Sequence, residues 1–372
     1  MDGRVENAIA DSVEHLRALL AARLAWGTGH AAHPGMTPSS PLARSAKQWL
    51  RSTWAANRRY RLHGKSVLIT GGSRGLGIAL ARELSSRGAH IAIASRDERE
   101  LERARVDLES YSARRVLMVR CDVTDPAQIE KAVVEVLAAH DRIDILVNVA
   151  GIIEVGPLAA MDVADFERAM ATNFWGPLHF MRAVTPGMIA NGGGRIANVS
   201  SVGGLVAVPH LLPYVASKFA LTGFSLGARA ELAKDRIGVS TICPGLMRTG
   251  SPPNATFKGD RAAEYAWFAS GDSTPLLSTS AEAAARRIVR AIVRNEAMVR
   301  IGLPAQLAAI AAAVVPDLVS GVMTFANALL PSGSDPTPAI GAESASATMP
   351  KWLTALSDRA SARNNEYGAA TH

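Results

Sequence analysis

The sequence predicts an α/β domain, a doubly wound parallel sheet covered by helices on both faces. Three observations predict it. From Lys65 onward short apolar runs alternate strictly with amphipathic stretches; the first run ends in a glycine-rich turn that leads straight into a helical pattern; and the 372 residues, 48% hydrophobic and 20% charged, are too apolar for a wholly disordered chain. Strand and helix in alternation imply βαβ units, right-handed crossovers and a sheet buried on both sides.

Residues 1–63 precede this pattern. Val5, Ile9, Val13, Leu16, Leu20 and Leu24 recur at spacings of three and four, one face of an amphipathic helix, and residues 27–43 read as linker. Residues 44–65 carry seven basic groups and no acid, interleaved with Trp49, Trp54 and Tyr60. Such a stretch is either an arm with a solvated basic face or an interfacial membrane helix. The predicted strands then run Val67–Thr70, His90–Ala94, Val116–Val119, Ile143–Asn148, Arg195–Val199 and Val239–Ile242, with helical patterns between them, such as Leu76–Arg87 and Ala127–Ala139. After Ala281 come a basic helix with Arg286, Arg287, Arg290 and Arg294, a short run Met298–Ile301, and an apolar helical extension over 304–330. From Ile301 to Ser334 Asp317 is the only charge, which suits an amphipathic helix and leaves a membrane-dipping segment open. Residues 331–372 are expected to be mostly disordered: 331–350 are rich in Pro, Ser, Gly, Ala and Thr, with one short helix around Trp352, Leu353 and Leu356.

The net charge of +7 is spread thinly over 40 basic and 33 acidic residues, which argues against nucleic-acid binding. Cys121 and Cys243 sit near the ends of apolar runs and read as buried thiols in a reducing compartment, and the nine histidines form no zinc-type spacing, so no metal is expected. Asp11 and Glu14 precede any long apolar run, the wrong layout for a secretory signal; the expected location is cytoplasmic, with contact at a membrane surface left open.

The chemistry lies at three places. The first strand ends Thr70-Gly71-Gly72-Ser73-Arg74-Gly75-Leu76-Gly77. Glycines at a strand-to-helix turn let backbone approach a phosphate, where free N–H groups and the helix dipole favour an anion. Where an acid would bind both ribose hydroxyls of NAD, the chain has Ser95-Arg96; Arg96, with Arg74, suits the 2′-phosphate of NADP(H). Farther on, Tyr214 and Lys218 are four apart at the start of a helical pattern, with Ser201 at a strand end. A cation on the same helix face favours phenolate and makes Tyr214 a candidate general acid/base.

Together these residues resemble the short-chain dehydrogenase/reductase family over roughly residues 64–303. The resemblance is carried by Thr70-Gly-x3-Gly-x-Gly77, Asp122-Val123, Asn148-Val149-Ala150-Gly151, Asn173, Ser201, Tyr214-x3-Lys218 and Pro244-Gly245 with Thr249, in the family's order. It implies a Rossmann-like domain that uses NADP(H) and passes hydride between the nicotinamide and a carbonyl or alcohol carbon. It implies that Tyr214 moves the proton, Ser201 holds the substrate oxygen, Lys218 binds the nicotinamide ribose and Asn173 orders a relay water. Asp122 and Val123 would meet the adenine, Asn148, Ala150 and Gly151 would shape the cofactor floor, and Thr249 would meet the carboxamide side. Val149 stands where the family has a second Asn. The last strand lacks the ending common in tetrameric members, which leaves a homodimer open.

The loop bordering the substrate in this family, Val202–Pro213, is apolar here, with Leu205 and Leu211; Met247, Phe257, Tyr265, Trp267 and Phe268 follow in a lid-like segment. The expected substrate is a lipophilic carbonyl or alcohol, handled by a reductase, with Leu205, His210, Leu211 and Met247 as contacts. His210 is read either as orienting a polar group or as a solvent-facing histidine. The competing function is a dinucleotide-binding scaffold or sensor without turnover.

Overall fold

The computed structural model describes residues 60–111, 115–273, 278–344 and 359–366. The helices and linker expected before residue 60 and the short helix around Trp352 lie outside the described residues.

Seven parallel strands form the central sheet: β1 (Ser66–Thr70), β2 (His90–Ser95), β3 (Leu117–Arg120), β4 (Ile145–Asn148), β6 (Gly194–Val199), β7 (Ile237–Pro244) and β11 (Met298–Ile301), in the order β11-β7-β6-β4-β1-β2-β3. The helices that connect and cover them are α1 (Gly75–Ser85), α2 (Glu98–Tyr111), α3 (Pro126–His140), α4 (Val163–Met170), α5 (Gly176–Ala190), α6 (Leu212–Leu232), α7 (Arg261–Ser273) and α8 (Ala281–Arg294). Every expected strand is present, with ends within two residues of the sequence reading, because central strands buried on both faces must be near-continuous apolar runs. β1 reads SVLIT and is buried throughout. α3 shows how local signals set boundaries: Asp125 accepts from the N–H groups of Ala127 and Gln128, Pro126 takes the first turn, and Asp141 closes the helix at φ 62°.

Winding reverses between β1 and β4, which pair in register from Val67 with Ile145 to Thr70 with Asn148. The crevice outside the carboxyl ends of these two strands is where an open α/β sheet binds its ligand. One core layer, built on Leu68, Val119, Val136, Leu146, Phe180 and Ile196, packs beneath it. Cys121 and Cys243 are both buried thiols; burial pushes them up to about 12 and about 11 respectively.

A small second sheet joins β5 (Glu154–Val155), β9 (Thr256–Phe257) and β12 (Ala339–Ile340), while β8 (Met247–Arg248) pairs with β10 (Thr279–Ser280). The expected helical extension is present, and the expectation for the tail is corrected here. The apolar extension is a pair of helices, α9 (Leu303–Val314) and α10 (Pro316–Ala328), broken at Pro316, whose missing N–H cannot continue a helix. α9 buries Ala305 and Ala309, one face of the amphipathic helix expected there, whereas α10 buries no residue. The tail expected to be mostly disordered is instead ordered in its described parts: β12 pairs antiparallel with β9, α11 (Gly341–Ser344) follows, and residues 359–366 bond to the main domain. Its order comes from polar bonds rather than apolar burial, and a composition rule that counts apolar residues does not register those bonds.

Candidate active site

The glycine turn is held by backbone geometry. Gly71 and Gly75 have φ of 65° and 56°, and a Cβ on Gly77 would lie 1.9 Å from Gly71 O. α1 therefore starts with its N–H groups aimed at the crevice. Thr70 ties this turn to the next strand end: its hydroxyl accepts from the N–H groups of Val149 (3.1 Å) and Ala150 (3.3 Å). The floor Asn148–Gly151 is continuous with the turn, since a Cβ on Gly71 would meet Ala150 Cα at 2.8 Å. Asn148 is itself buried, donating to Asn198 Oδ1 at 2.8 Å, and Asn198 donates to Ser225 Oγ at 2.8 Å. This polar ladder joins the ends of β4 and β6 to α6. Asn198 and Ser225 carry no motif that a reading of spacing could register.

Beyond the floor the chemical groups converge. Positions built on two glycines triangulate them: a Cβ on Gly151 would lie 2.9 Å from Asn173 Oδ1 and 3.5 Å from Lys218 Nζ, and a Cβ on Gly203 would lie 3.3 Å from Tyr214 Cε1 and 3.5 Å from Ser201 Oγ. Lys218 Nζ is 5.6 Å from the Tyr214 ring centroid and donates to Val199 O at 2.9 Å. Burial depresses Lys218 to about 8, with the neighbouring Cys243 acting the other way. Of the paired serines, Ser200 is committed inward, to Lys218 O and Thr222. Ser201 accepts from Gly203 N–H at 3.0 Å, which leaves its own proton to donate. Asn173 sits in a π-helical turn, Ala171–Trp175, between α4 and α5; its amide donates to Ser217 Oγ (2.9 Å) and Ile152 O (3.1 Å) and its oxygen accepts from Ile152 N–H (2.9 Å). Ser217, the residue before Lys218, is a partner that the sequence reading did not name.

The other expected cofactor residues surround the crevice in different states. Arg96 is 67% exposed at the end of β2 and 3.9 Å from Asp122, whose carboxylate otherwise binds Thr124. Ser95 is half-buried beside it and Val123 is buried against α5. Ser73 donates to Glu100 at 2.9 Å and Arg74 is engaged by Asn254 (2.7 Å) and Glu100 (3.3 Å), so neither side chain is idle. Leu76 is buried at the start of α1. Gly245 N–H donates to Ile301 O at 2.9 Å just past Pro244, and the Thr249 hydroxyl meets Ser251 at 2.9 Å. The cradle fits a dinucleotide: backbone at a helix N-terminus for the phosphates, a buried ammonium beside a phenol, and Ser95-Arg96 rather than an acid at the end of β2.

The substrate side corrects two expectations. His210 is buried rather than solvent-facing; its Nδ1 is 2.7 Å from Glu264, which also accepts from Trp267 Nε1 at 2.6 Å. Burial raises the Glu264 carboxyl, and the His210 and Trp267 bonds oppose that rise. The pair fastens α7 to the loop before α6. The aromatic residues read as pocket lining largely pack on each other: Phe257 meets Tyr265 and Phe268 edge-to-face at 5.4 and 5.9 Å, and all three are buried. Leu211 packs at the edge of this cluster, and Leu205 and Met247 are half-buried.

The family model described as short chain dehydrogenase matches residues 65–256. The chain is 38% identical over 239 residues to a "Dehydrogenase/reductase SDR family protein 7-like" of Anopheles gambiae, covering 63% of this chain and 74% of that one. It is 32% identical over 279 residues to a fatty acyl-CoA reductase of Acinetobacter baylyi, covering 74% and 88%. Among solved structures it is similar to L-sorbose reductase from Gluconobacter frateurii in complex with NADPH and L-sorbose, with a TM-score of 0.59, 26% identity and coverage of 65% and 96%.

Proposed function

The chain belongs to the short-chain dehydrogenase/reductase family, and from that premise we propose that it is an NADP(H)-dependent reductase of a lipophilic carbonyl. The observation that carries the reading is the convergence of Ser201 Oγ, the Tyr214 ring and Lys218 Nζ at the mouth of the switch-point crevice. When bound, the nicotinamide supplies hydride to the substrate carbon. The protein's own part is the proton. Ser201 donates a hydrogen bond to the substrate oxygen, and Tyr214 gives that oxygen its phenolic proton. Lys218 holds positive charge near the ring and lowers the cost of the phenolate left behind. Asn173, whose oxygen lies beside Gly151 and Lys218, would order a water through which a proton from solvent returns to Tyr214.

NADP(H) over NAD(H) is supported by Ser95-Arg96 at the end of β2, the position where an NAD-type fold has an acid; Arg96 is exposed and only loosely paired with Asp122, at 3.9 Å. Arg96→Ala is expected to weaken NADPH binding about tenfold, toward the NADH value, as a charge-assisted bond of this kind is worth ~1.5–3 kcal/mol. Fluorescence titration with both nucleotides checks it; equal loss for both would remove Arg96 as the discriminating group. A lipophilic substrate is supported by the apolar loop Val202–Pro213 and by the fatty acyl-CoA reductase relative. A binding protein without turnover would take up NADPH yet fail to consume it with any of a panel of long-chain aldehydes and cyclic ketones.

Contact with a membrane surface is supported by α9 and α10. Leu303, Leu307, Ile310, Leu318, Val322 and Phe325 are each 53–69% exposed on these two helices, whose one charge is Asp317. At 1.5 Å per residue each is about 20 Å long, short of the ~30 Å hydrocarbon core, and no described helix is long and apolar enough to cross a membrane. An interfacial position fits both facts. Co-sedimentation with phosphatidylcholine vesicles is expected for the native chain and lost in a Leu307→Lys, Phe325→Lys variant. Equal pelleting of the two would rule out this face as the contact.

A further inference from the structure

Residues 359–366 cross the glycine turn and the segment after β7, and they bind both. Gly75 N–H, at the start of α1, donates to Asn364 O at 2.8 Å. The Asn365 amide donates to Ser73 O at 2.8 Å and Glu100 O at 3.1 Å. On the other side Asn364 Nδ2 reaches Thr249 O at 3.4 Å and Ser361 Oγ donates to Gly250 O at 3.1 Å. Two arginines clamp the segment from outside: Arg82 donates to Arg363 O at 2.8 Å, and Arg103 to Asn365 Oδ1 at 2.7 Å.

Glu366 completes the arrangement. It is 6% exposed, accepts from Asn254 Nδ2 at 2.7 Å and lies 3.6 Å from Arg74 Nε. A Cβ on Gly75 would be 2.5 Å from Glu366 Oε1 and 3.9 Å from Thr249 Cβ, so the carboxylate fills the gap between the phosphate turn and the segment after β7. A helix N-terminus with free N–H groups attracts an anion. Here the Gly75 N–H is taken by the Asn364 carbonyl, and the anion beside it, the Glu366 carboxylate, is the chain's own.

We propose that residues 359–366 occupy the phosphate position of the dinucleotide site, with Glu366 as the stand-in anion, and that nicotinamide nucleotide binds as this segment leaves. The inference rests on the dinucleotide reading above. Its physical basis is exclusion: Gly75 N–H is already used, Arg74 is already paired, and a pyrophosphate beside a buried carboxylate would set like charges together in a poorly solvated space. Burial already pushes Glu366 up to about 7 against the pull of Arg74, with Glu100 adding a further negative charge nearby. Apparent affinity is then the intrinsic affinity scaled by the fraction of molecules with the segment undocked. Release frees Arg74 from Glu366, leaving Glu100 and Asn254 as its partners. Glu366 thus sets nucleotide affinity without touching substrate.

The test compares the full chain, a chain ending at residue 358, and Glu366→Ala, each titrated with NADPH and NADH by fluorescence. The shortened chain is expected to bind NADPH at least tenfold more tightly and Glu366→Ala at least threefold. If the shortened chain does not fold, the point variant carries the comparison. In the full chain, amide exchange over 359–366 is expected to speed up on saturation with NADPH. Equal or weaker binding in the variants, or slower exchange on binding, would overturn the proposal and make the segment a wall of the site. Failure of every form to bind either nucleotide would overturn the dinucleotide reading as well, which distinguishes the two.

Discussion

Tyr214→Phe is expected to lower NADPH-dependent reduction of a lipophilic aldehyde by ~10²–10⁴-fold, the usual contribution of a positioned general acid, while thermal midpoint and nucleotide affinity stay at the native values. The substitution removes one oxygen and keeps the ring, whose Cε1 would lie 3.3 Å from a Cβ on Gly203. Loss of rate with retained binding separates proton transfer from positioning. The same arrangement has a pH signature. Lys218 is depressed by burial to about 8, so its charge is present below that value and fades as pH rises through it. Rate is therefore expected to fall above about pH 8 as support for the Tyr214 phenolate weakens. The stability sign is opposite: a buried cation with a lowered pKa costs folding energy in full below about 8, and that cost is relieved as pH rises from about 8 toward the ordinary lysine range. Steady-state rates and thermal melts across pH 6–10 read both. Native turnover by Tyr214→Phe would remove the phenol from the mechanism.

Gly77→Ala is expected to destabilise the domain by about 1–3 kcal/mol, a drop of several degrees in thermal midpoint, and to abolish nucleotide binding. The added Cβ would lie 1.9 Å from Gly71 O and 3.0 Å from Gly72 Cα. Both obstacles are backbone, so no side chain can rotate away, and the turn must shift off the start of α1. Gly227→Ala, at an exposed position of α6 whose Cβ would meet nothing within 4 Å, is the control and should leave binding unchanged while raising stability by ~0.5–1 kcal/mol. Native melting and binding in Gly77→Ala would show that the turn is not constrained as described.

Legibility followed the range of the interaction. The strands were readable because a parallel strand buried on both faces demands apolar side chains in succession, as in Ser66–Thr70. The convergence of Tyr214 with Lys218 was readable because four residues make about one helical turn. His210 was not, since its partner Glu264 lies 54 residues away on another helix, and a lone loop histidine has no local signal that tells burial from exposure. The aromatic segment 257–268 was legible as apolar. That its rings face one another is a property of how α7 folds back on β9.

The sequence by itself determined the alternation of elements, the glycine turn, the Ser95-Arg96 pair in place of an acid at the end of β2 and the order of the chemical groups, because each is fixed by local sterics or by a short run of neighbouring residues. Only the tertiary structure decided where the last described residues go. Asn364, Asn365 and Glu366 are polar residues in an unremarkable stretch of chain, and they acquire meaning from donors more than 250 residues away at Arg82, Arg103 and Gly75. Hydrogen bonds of that range leave no periodicity behind; they exist once the sheet has brought α1, α2 and the segment after β7 to one edge.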